Sequence, residues 1–574
     1  MKITVEINGR PTGAEKGEML LGVIRRAGWK IPTLCHIEGM APTGACRLCV
    51  VEIEGHSSLA PSCATPAAAG MKILTHSPRA VRARKTIVEL LLADHPDDCL
   101  YCVRSGDCRL QELAEELGVR ERRYEGARTV EHLDISSPAI ERDPAKCVLC
   151  GKCVRVCEEV QGVAAIDFTG RGSRTRISTA FEEGINISSC VYCGQCIRVC
   201  PTGALRERSS IKSVMDALAD PGKFVVVQHA PSISVTLGEE FGVGPGKDIA
   251  GALTAALRRL GFDRVFDTAF SADLTIMEES SELVDRLKNN GVLPMMTSCS
   301  PGWVKFVEEF YPDFIPNLST CKSPQQMLGA VVKTYFAATA GIDPARIFSV
   351  AVMPCTAKKF EAGRPEMTRG GLPDIDAVLT TRELVRMIRM MGIDLDRIEP
   401  DTADTPFGER TSAGKLFGAS GGVMEAAVRN AHFLITGRDL ADPRIEALRG
   451  DDGIREAVIP IGSLELRTAV ADGVGNARRL LDDIGAGLKN PHFIEVMTCP
   501  GGCINGGGQP LGADGAAIRK RMKALYRLDR TEGVRVSHRN RSVRRLYREF
   551  LGAPLGEKSR RLLHTGYRLR EVVR

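Results

Sequence analysis

The sequence predicts a multidomain chain in which small α+β modules precede one large α/β domain. Two observations carry this reading. Of the 20 cysteines in 574 residues, 15 lie before residue 201. From Lys223 onward, short apolar runs with strand character alternate with amphipathic helical stretches. At about 150 residues per domain the length accommodates three to five units. Hydrophobic residues make up 43% and charged residues 26%, which excludes wholesale disorder, a collagen and a membrane bundle. No run of about eighteen apolar residues is present, so no membrane span is expected. The N-terminus, MKITVEINGRPTG, lacks the apolar core of a signal peptide, and the expected compartment is the cytoplasm.

The net charge of +6 conceals an asymmetry. Residues 519–574 carry 18 Lys+Arg against 5 Asp+Glu, or +13, leaving −7 for the rest. No RNA-binding motif or aromatic platform accompanies these charges. No nucleic-acid partner is expected, and the stretch from about 519 reads as a solvated, Arg-rich helical arm over the main domain.

Lys2–Asn8 alternates as a half-buried strand does, Asn8-Gly9 signals a hairpin turn, and Glu18–Ala27 follows as a short helix. Cys35, Cys46, Cys49 and Cys63 then give a long gap, a CxxC and a distant fourth cysteine. That order resembles plant-type [2Fe–2S] ferredoxins. The longer first gap fits better the related N-terminal domain of hydrogenases and of the respiratory NADH dehydrogenase. A β-grasp domain over residues 1–80 is expected. Residues 81–125 hold a helical stretch, Lys85–Ala93, which delivers His95 ahead of Cys99, Cys102 and Cys108. Three thiolates and one imidazole suit a [4Fe–4S] cube, the imidazole removing one negative charge.

Residues 126–209 contain Cys147-x2-Cys150-x2-Cys153-x3-Cys157 and Cys190-x2-Cys193-x2-Cys196-x3-Cys200-Pro201. This is the two-cluster ferredoxin pattern, in which the last cysteine of each run serves the other cube. One cube is expected on Cys147, Cys150, Cys153 and Cys200, the other on Cys190, Cys193, Cys196 and Cys157. The first run departs from the pattern in having Glu158 where Pro is usual. Four accessory clusters in one chain make a wire, and a wire needs a destination.

That destination is expected in residues 210–574. Strands are predicted at Lys223–Gln228, Arg264–Asp267, Val292–Thr297, Ile347–Met353 and Phe493–Met497, with a helix at Ile249–Leu260. Three of the strands run into cysteine-bearing loops, the usual place for a site in an open α/β sheet. Gly242–Lys247 is glycine-rich but lacks the spacing of a phosphate loop or dinucleotide fingerprint and reads as a plain loop.

The three loops read Thr297-Ser-Cys-Ser-Pro-Gly-Trp303, Met353-Pro-Cys-Thr-Ala-Lys-Lys-Phe-Glu361 and Glu495-Val-Met-Thr-Cys-Pro-Gly-Gly-Cys-Ile-Asn-Gly-Gly-Gly-Gln-Pro510. They resemble, in order, the three signature motifs of [FeFe]-hydrogenases, and with the upstream modules the resemblance spans essentially the whole chain. It is closest to the large clostridial-type enzymes with four accessory clusters. The resemblance implies an H-cluster: a [4Fe–4S] cube joined through a cysteine thiolate to a two-iron unit bearing CO, cyanide and azadithiolate. Cys503 matches the bridging ligand, and Cys355 and Cys499 match further cube ligands. Lys358 matches the lysine beside a cyanide, Met353 and Met497 the apolar walls, and Pro231, Ser232 and Gln325 further pocket segments. Glu279, Glu282, Arg286 and Ser319 match proton-path positions.

One departure stands out. The family commonly has two adjacent cysteines where this chain has Cys299-Ser300. By strict register Cys299 is the proton relay and Ser300 replaces a cube ligand with a harder donor. Alternatively Cys299 ligates, and Ser300 stands nearer the relay. Cys321 receives no role. The reading implies reversible proton reduction to H2 with a ferredoxin-like electron carrier and dedicated maturation proteins. The alternatives are a hydrogen-forming subunit working with NADH-oxidising flavoprotein subunits, and a non-catalytic hydrogenase-like iron–sulfur protein.

Overall fold

In a computed structural model, described over residues 1–126 and 132–572, the modules occur in the expected order. The expected boundary at 125/126 falls beside residues 127–131, which lie outside the described residues, as do residues 573–574 of the basic arm. The first module is a five-stranded sheet. Lys2–Ile7 pairs antiparallel with Arg10–Glu15 and parallel with Lys72–Leu74, which pairs in turn with Val50–Ile53. The helix Leu20–Arg26 buries Leu20, Leu21, Val23 and Ile24 against it. The strand expected at Lys2–Asn8, the turn at Asn8-Gly9 and a helix within Glu18–Ala27 are all present.

Pro78–Asp94 forms one helix, longer than the predicted Lys85–Ala93 because Ser77 caps it and Pro78 starts its first turn. His95 is its C-terminal cap residue, as expected. In the two-cluster module the runs fold alike. Leu149 and Gly151 in the first, and Tyr192 and Gly194 in the second, adopt left-handed φ of 50°, 72°, 58° and 71°. A chain curling tightly around a small object needs such turns, and their identical spacing from Cys147 and Cys190 makes the internal twofold repeat visible.

Two sheets form the large domain. One is wholly parallel, in the order Arg264–Asp267, Phe224–His229, Ile347–Met353, Ala377–Thr380. The other runs Met295–Met296, Phe493–Met497, Leu464–Asp472, Ile454–Ile461. The predicted strand Val292–Thr297 thus shrinks to two residues: Pro294 has no N–H to offer a ladder. Helix Thr268–Lys288, capped by Asp267, lies against the inner helices and holds fifteen buried residues, Glu278, Glu279 and Glu282 among them. Gly242–Lys247 is a loop, as read.

The basic arm needs correction. Its helix starts at Gly515, four residues earlier than expected, and it is not simply solvated. Arg521 is 0% exposed; its guanidinium donates to both oxygens of Glu239 (2.7 and 2.6 Å) and to the Ile504 carbonyl (2.7 Å). Asp529 accepts from Arg429, Arg449 and Arg535. Most of the arm's other basic side chains are exposed, as expected, so the correction concerns its start and the buried pairs of Arg521 and Asp529.

The large domain meets the two-cluster module through glycine. A Cβ on Gly507 would stand 2.1 Å from the Cys193 carbonyl oxygen, and one on Gly194 2.5 Å from Thr356 Oγ1. Gly507→Ala is expected to cost about 1–3 kcal/mol through overpacking. Calorimetry of the cluster-loaded protein should show the lower melting temperature.

Candidate functional site

Cysteine thiols collect in the groups that the spacing indicated. Cys35, Cys49 and Cys63 are each 2% exposed. The Cys46 N–H points at Cys35 Sγ (3.5 Å). Hydrogen bonds from Cys46 and from Cys63 pull the thiols of Cys35 and Cys49 below their usual range despite burial. Four sulfurs within mutual reach suit a two-iron cluster. Lys152 is largely buried and faces Cys150, Cys35, Cys46 and Cys200, so it stands between this group and the next cube.

His95 keeps a buried Nδ1 without a hydrogen-bond partner, as an imidazole reserved for another group does. Arg122 holds its carbonyl (3.1 Å). Cys108 is buried and faces Cys102, whereas Cys99 lies at the surface. Cys147, Cys150, Cys153 and Cys200 line one cavity of about 450 Å³. Cys190, Cys193, Cys196 and Cys157 form a separate group, whose mutual repulsion adds to burial in raising the Cys193 and Cys196 thiols. The crossed arrangement of fourth cysteines is therefore what the fold builds.

Cys193 also faces Cys499. Beside this contact Gln195 Nε2 donates to the Asn505 carbonyl (3.0 Å), and Arg198 Nη1 donates to the same oxygen (2.6 Å). Cys499 is 6% exposed and neighbours Cys355 and Cys503. Burial followed by thiol–thiol repulsion raises it, and burial pushes Cys503 up to about 12. Such thiols are poor as free acids; a metal that takes them as thiolates removes the conflict.

Cys355 and Cys503 also line a second cavity, of about 590 Å³, with Pro231, Ser232, Gln325, Lys358, Met353 and Met497 on its walls. Every pocket residue matched in the sequence is present there. Lys358 Nζ donates to the Cys299 carbonyl (3.0 Å) and to Glu361 Oε2 (2.9 Å). Glu361 Oε2 also accepts from Ser323 Oγ (2.8 Å) and Gln325 Nε2 (3.1 Å), leaving Gln325 Oε1 buried without a partner. A cation and an amide whose oxygen is unpaired thus line a cavity whose walls are otherwise mostly apolar, with the hydroxyls of Ser232, Thr268 and Ser300 among them.

Cys299 and Ser300 both line this cavity but keep different company. The Cys299 thiol is raised by burial and then by Glu279, with Lys358 opposing; Cys503 is the one other thiol that bears on it. Ser300 Oγ lies 2.6 Å from Thr498 Oγ1, beside Cys499. Behind Cys299, Glu279 is fully buried, its carboxylate facing the Ser319 hydroxyl and the Ser298 N–H without a close hydrogen bond to either. Glu282 Oε2 accepts from Ser319 Oγ (2.9 Å), and Glu282 Oε1 accepts from Arg286 (2.6 Å). The structure therefore brings Cys299, Glu279, Ser319, Glu282 and Arg286 into one neighbourhood. Cys321 Sγ sits 3.8 Å from Glu282 Oε2 and is buried.

Sequence reasoning missed Glu361, Glu495 and Gln509. Glu361 stands inside the quoted second motif, three residues after Lys358, and a charge at that helical spacing was the available signal. Glu495 opens the third motif; it is buried, accepts from the Gly421 and Met424 N–H groups (2.7 and 2.6 Å), and burial raises it to about 7. Gln509 ties Ser232, Thr236 and Thr381 together, a role no local pattern reveals.

Family models match nearly the whole chain in the same order. They are a 2Fe-2S iron–sulfur cluster binding domain (residues 1–78) and an NADH-ubiquinone oxidoreductase-G iron–sulfur binding region (84–123). Next come the ferredoxin-like domain of NADH-quinone oxidoreductase subunit 3 (137–206) and the iron only hydrogenase large subunit, C-terminal domain (223–507). The iron hydrogenase small subunit follows (515–570). The chain is 47% identical to the NADP-reducing hydrogenase subunit HndD of Solidesulfovibrio fructosivorans, covering 98% of both chains. It is 40% identical to iron hydrogenase 1 of Clostridium pasteurianum, covering 98% of this chain and 100% of the other. A solved structure of the [FeFe]-hydrogenase HydA1 from Chlamydomonas reinhardtii is similar, with 42% identity and a TM-score of 0.58. It covers 64% of this chain and 100% of that one.

Glu279 yields a pH prediction. Burial, then Glu282 and Glu495, push its carboxyl from 4.5 to about 8. The folded protein keeps a proton that the unfolded chain releases near 4.5. Its contribution to stability is complete below that value and is lost as the pH rises through about 8. Glu279→Gln should therefore melt higher relative to the parent at about pH 9 than at about pH 5, in paired thermal scans.

Proposed function

The chain belongs to the iron-only, or [FeFe], hydrogenases, and on that premise we propose which of its residues hold metal, carry electrons and move protons. It is an enzyme that reversibly reduces protons to H2 through iron–sulfur groups. The observation that supports the assignment best is that Cys355 and Cys503 line the cavity carrying Lys358 while Cys499 stands beside both of them.

We assign one [2Fe–2S] cluster to Cys35, Cys46, Cys49 and Cys63. A [4Fe–4S] cube goes to His95, Cys99, Cys102 and Cys108, and two more go to the crossed sets around Cys200 and Cys157. The H-cluster cube takes Cys355, Cys499 and Cys503, with Cys503 as the bridge. Ser300 is its fourth donor. This choice follows from the company each side chain keeps: Ser300 lies beside Thr498 and Cys499, whereas Cys299 is turned toward Glu279. When bound, the two-iron unit supplies the metal at which protons and electrons meet.

The remaining work falls to the protein. Lys358, held by Glu361, presents an ammonium to a cavity in which anionic ligands need fixed donors. Gln325 Oε1 can accept a hydrogen bond there, while Met353 and Met497 exclude water. The Cys299 thiol passes a proton to or from Glu279, which exchanges it through the Ser319 hydroxyl with Glu282, and Arg286 orients Glu282 toward the surface. Burial holds the Glu279 carboxyl up at about 8, within reach of the proton exchange that a relay needs. When bound, the accessory clusters would supply the path for electrons, with Cys193 facing Cys499 where that path would meet the site.

For the partner, a ferredoxin-like carrier delivers electrons, and maturation proteins install the two-iron unit. The likeness to HndD, a subunit of an NADP-reducing hydrogenase, supports a second reading in which nucleotide-oxidising flavoprotein subunits feed the same wire. No helix among the described residues is long and apolar enough to cross a membrane. A thiol-rich chain of this kind suits the reducing cytoplasm.

Infrared spectroscopy of anaerobically matured protein should show bands of iron-bound CO and cyanide; protein with full accessory iron and no such bands contradicts the site. Glu282→Gln should keep those bands and lose about a hundredfold or more in turnover. Ser300→Cys should leave the band pattern in place and shift the cube's reduction potential, read by spectroelectrochemistry.

A further inference from the structure

The C-terminal segment reaches the proton path. Residues 515–570 match the small-subunit model, and here they are covalently part of the chain. From this segment His564 enters beside Glu282; the donor atoms of Glu282, Cys321 and His564 lie within 4.8 Å of one another. His564 Nδ1 is 2.8 Å from Thr320 Oγ1, and Thr320 Oγ1 is 3.2 Å from Glu282 Oε2. On its other side His564 Nε2 is 3.1 Å from Glu278 Oε2.

Glu278 is fixed as an acceptor. It is 0% exposed and takes hydrogen bonds from the Tyr547 hydroxyl (2.5 Å), the Ser559 hydroxyl (2.7 Å) and the Leu555 N–H (2.8 Å). Burial alone would raise its carboxyl, but His564, Tyr547 and Leu555 outweigh burial and hold it below the usual range. An ionised acceptor at Nε2 keeps a proton on that nitrogen. What varies is Nδ1. A neutral imidazole accepts there, so the single proton of the Thr320 hydroxyl points at His564 and away from Glu282. An imidazolium donates from Nδ1 and turns the Thr320 hydroxyl onto Glu282 Oε2. One proton gained by His564 thus becomes one more hydrogen bond to the Glu282 carboxylate, which favours its charged form.

We propose that His564 is a positioning residue for proton transfer, setting through the Thr320 hydroxyl how firmly Glu282 holds its proton. This rests on the reading of Glu282 as a member of the path. The other groups facing Glu282 are Arg286 and Glu279 from its own helix, Ser319 and the Thr320 N–H from the adjoining loop, and the Cys321 thiol. Glu278, Cys321 and, through Glu278, Tyr547 face His564. Neighbouring Lys322 is turned away, its ammonium 2.7 Å from Asp374. Among these groups the imidazole is the one that touches the hydroxyl that bonds Glu282.

The test uses the matured, full-length enzyme and four variants. In His564→Gln the side chain still reaches Glu278 but does not titrate. Its profile of H2 production against pH should differ in shape from the parental one, the rate changing by about threefold at a fixed pH. Thr320→Val should reproduce the change, Thr320→Ser should restore the parental profile, and the His564→Gln/Thr320→Val double variant should match either single one. The infrared carboxyl band that vanishes in Glu282→Gln should titrate at a shifted pH in His564→Gln. If His564→Gln fails to fold, the Thr320 pair decides from outside the C-terminal segment. Superimposable profiles and an unmoved carboxyl band, in an enzyme whose Glu282→Gln variant is inactive, overturn this inference alone. Normal turnover in Glu282→Gln overturns it together with the path.

Discussion

The function depends on one close approach of backbone to backbone between the large domain and the two-cluster module. The loop Gly506-Gly507-Gly508 lies against Cys193 and Gly194 so tightly that no side chain fits at Gly507 or Gly194. Backbone-to-backbone contact is the shortest separation two domains can reach, and electron tunnelling falls steeply with distance. Gln195 and Arg198 secure it by donating to the Asn505 carbonyl. The same loop follows Cys499 and Cys503 directly, so one segment both closes the buried site and joins it to the wire.

Charge is handled differently on the two sides of that site. Toward the wire, thiols crowd together in apolar surroundings and resist ionisation, which makes metal binding the natural way to satisfy them. Toward the cavity, charge is built into side chains: Lys358 is clamped by Glu361, and Glu361 by Ser323 and Gln325. Behind Cys299 the carboxylates alternate in character. Glu279 is buried without a close hydrogen bond, whereas Glu282 is saturated with donors. The proposed proton path runs through this contrast between the two carboxylates.

Local features of the sequence announced much of this. The cysteine runs were legible because cube ligation demands short, regular steps, and the crossed pairing followed from the same steps. The parallel strands Ile347–Met353 and Phe493–Met497 were legible as apolar runs. Val292–Thr297 was overread because its apolar residues masked the missing N–H of Pro294. Ser300 and Cys299 could not be separated by sequence, since the distinction lies in which partner each faces across the fold. Glu361, Glu495 and Gln509 gain their meaning from residues distant in the chain. The basic arm misled in the opposite way: summed charge cannot reveal that Arg521 and Asp529 are spent on buried pairs.

The central claim is one continuous path for electrons from the buried cavity to the N-terminal clusters. Electron paramagnetic resonance of the matured, oxidised enzyme after exposure to H2 tests it directly. The account predicts signals of reduced accessory clusters, including the [2Fe–2S] cluster, appearing under H2 with no other donor present. Accessory clusters that stay oxidised while the same sample evolves H2 from an artificial reductant would contradict it.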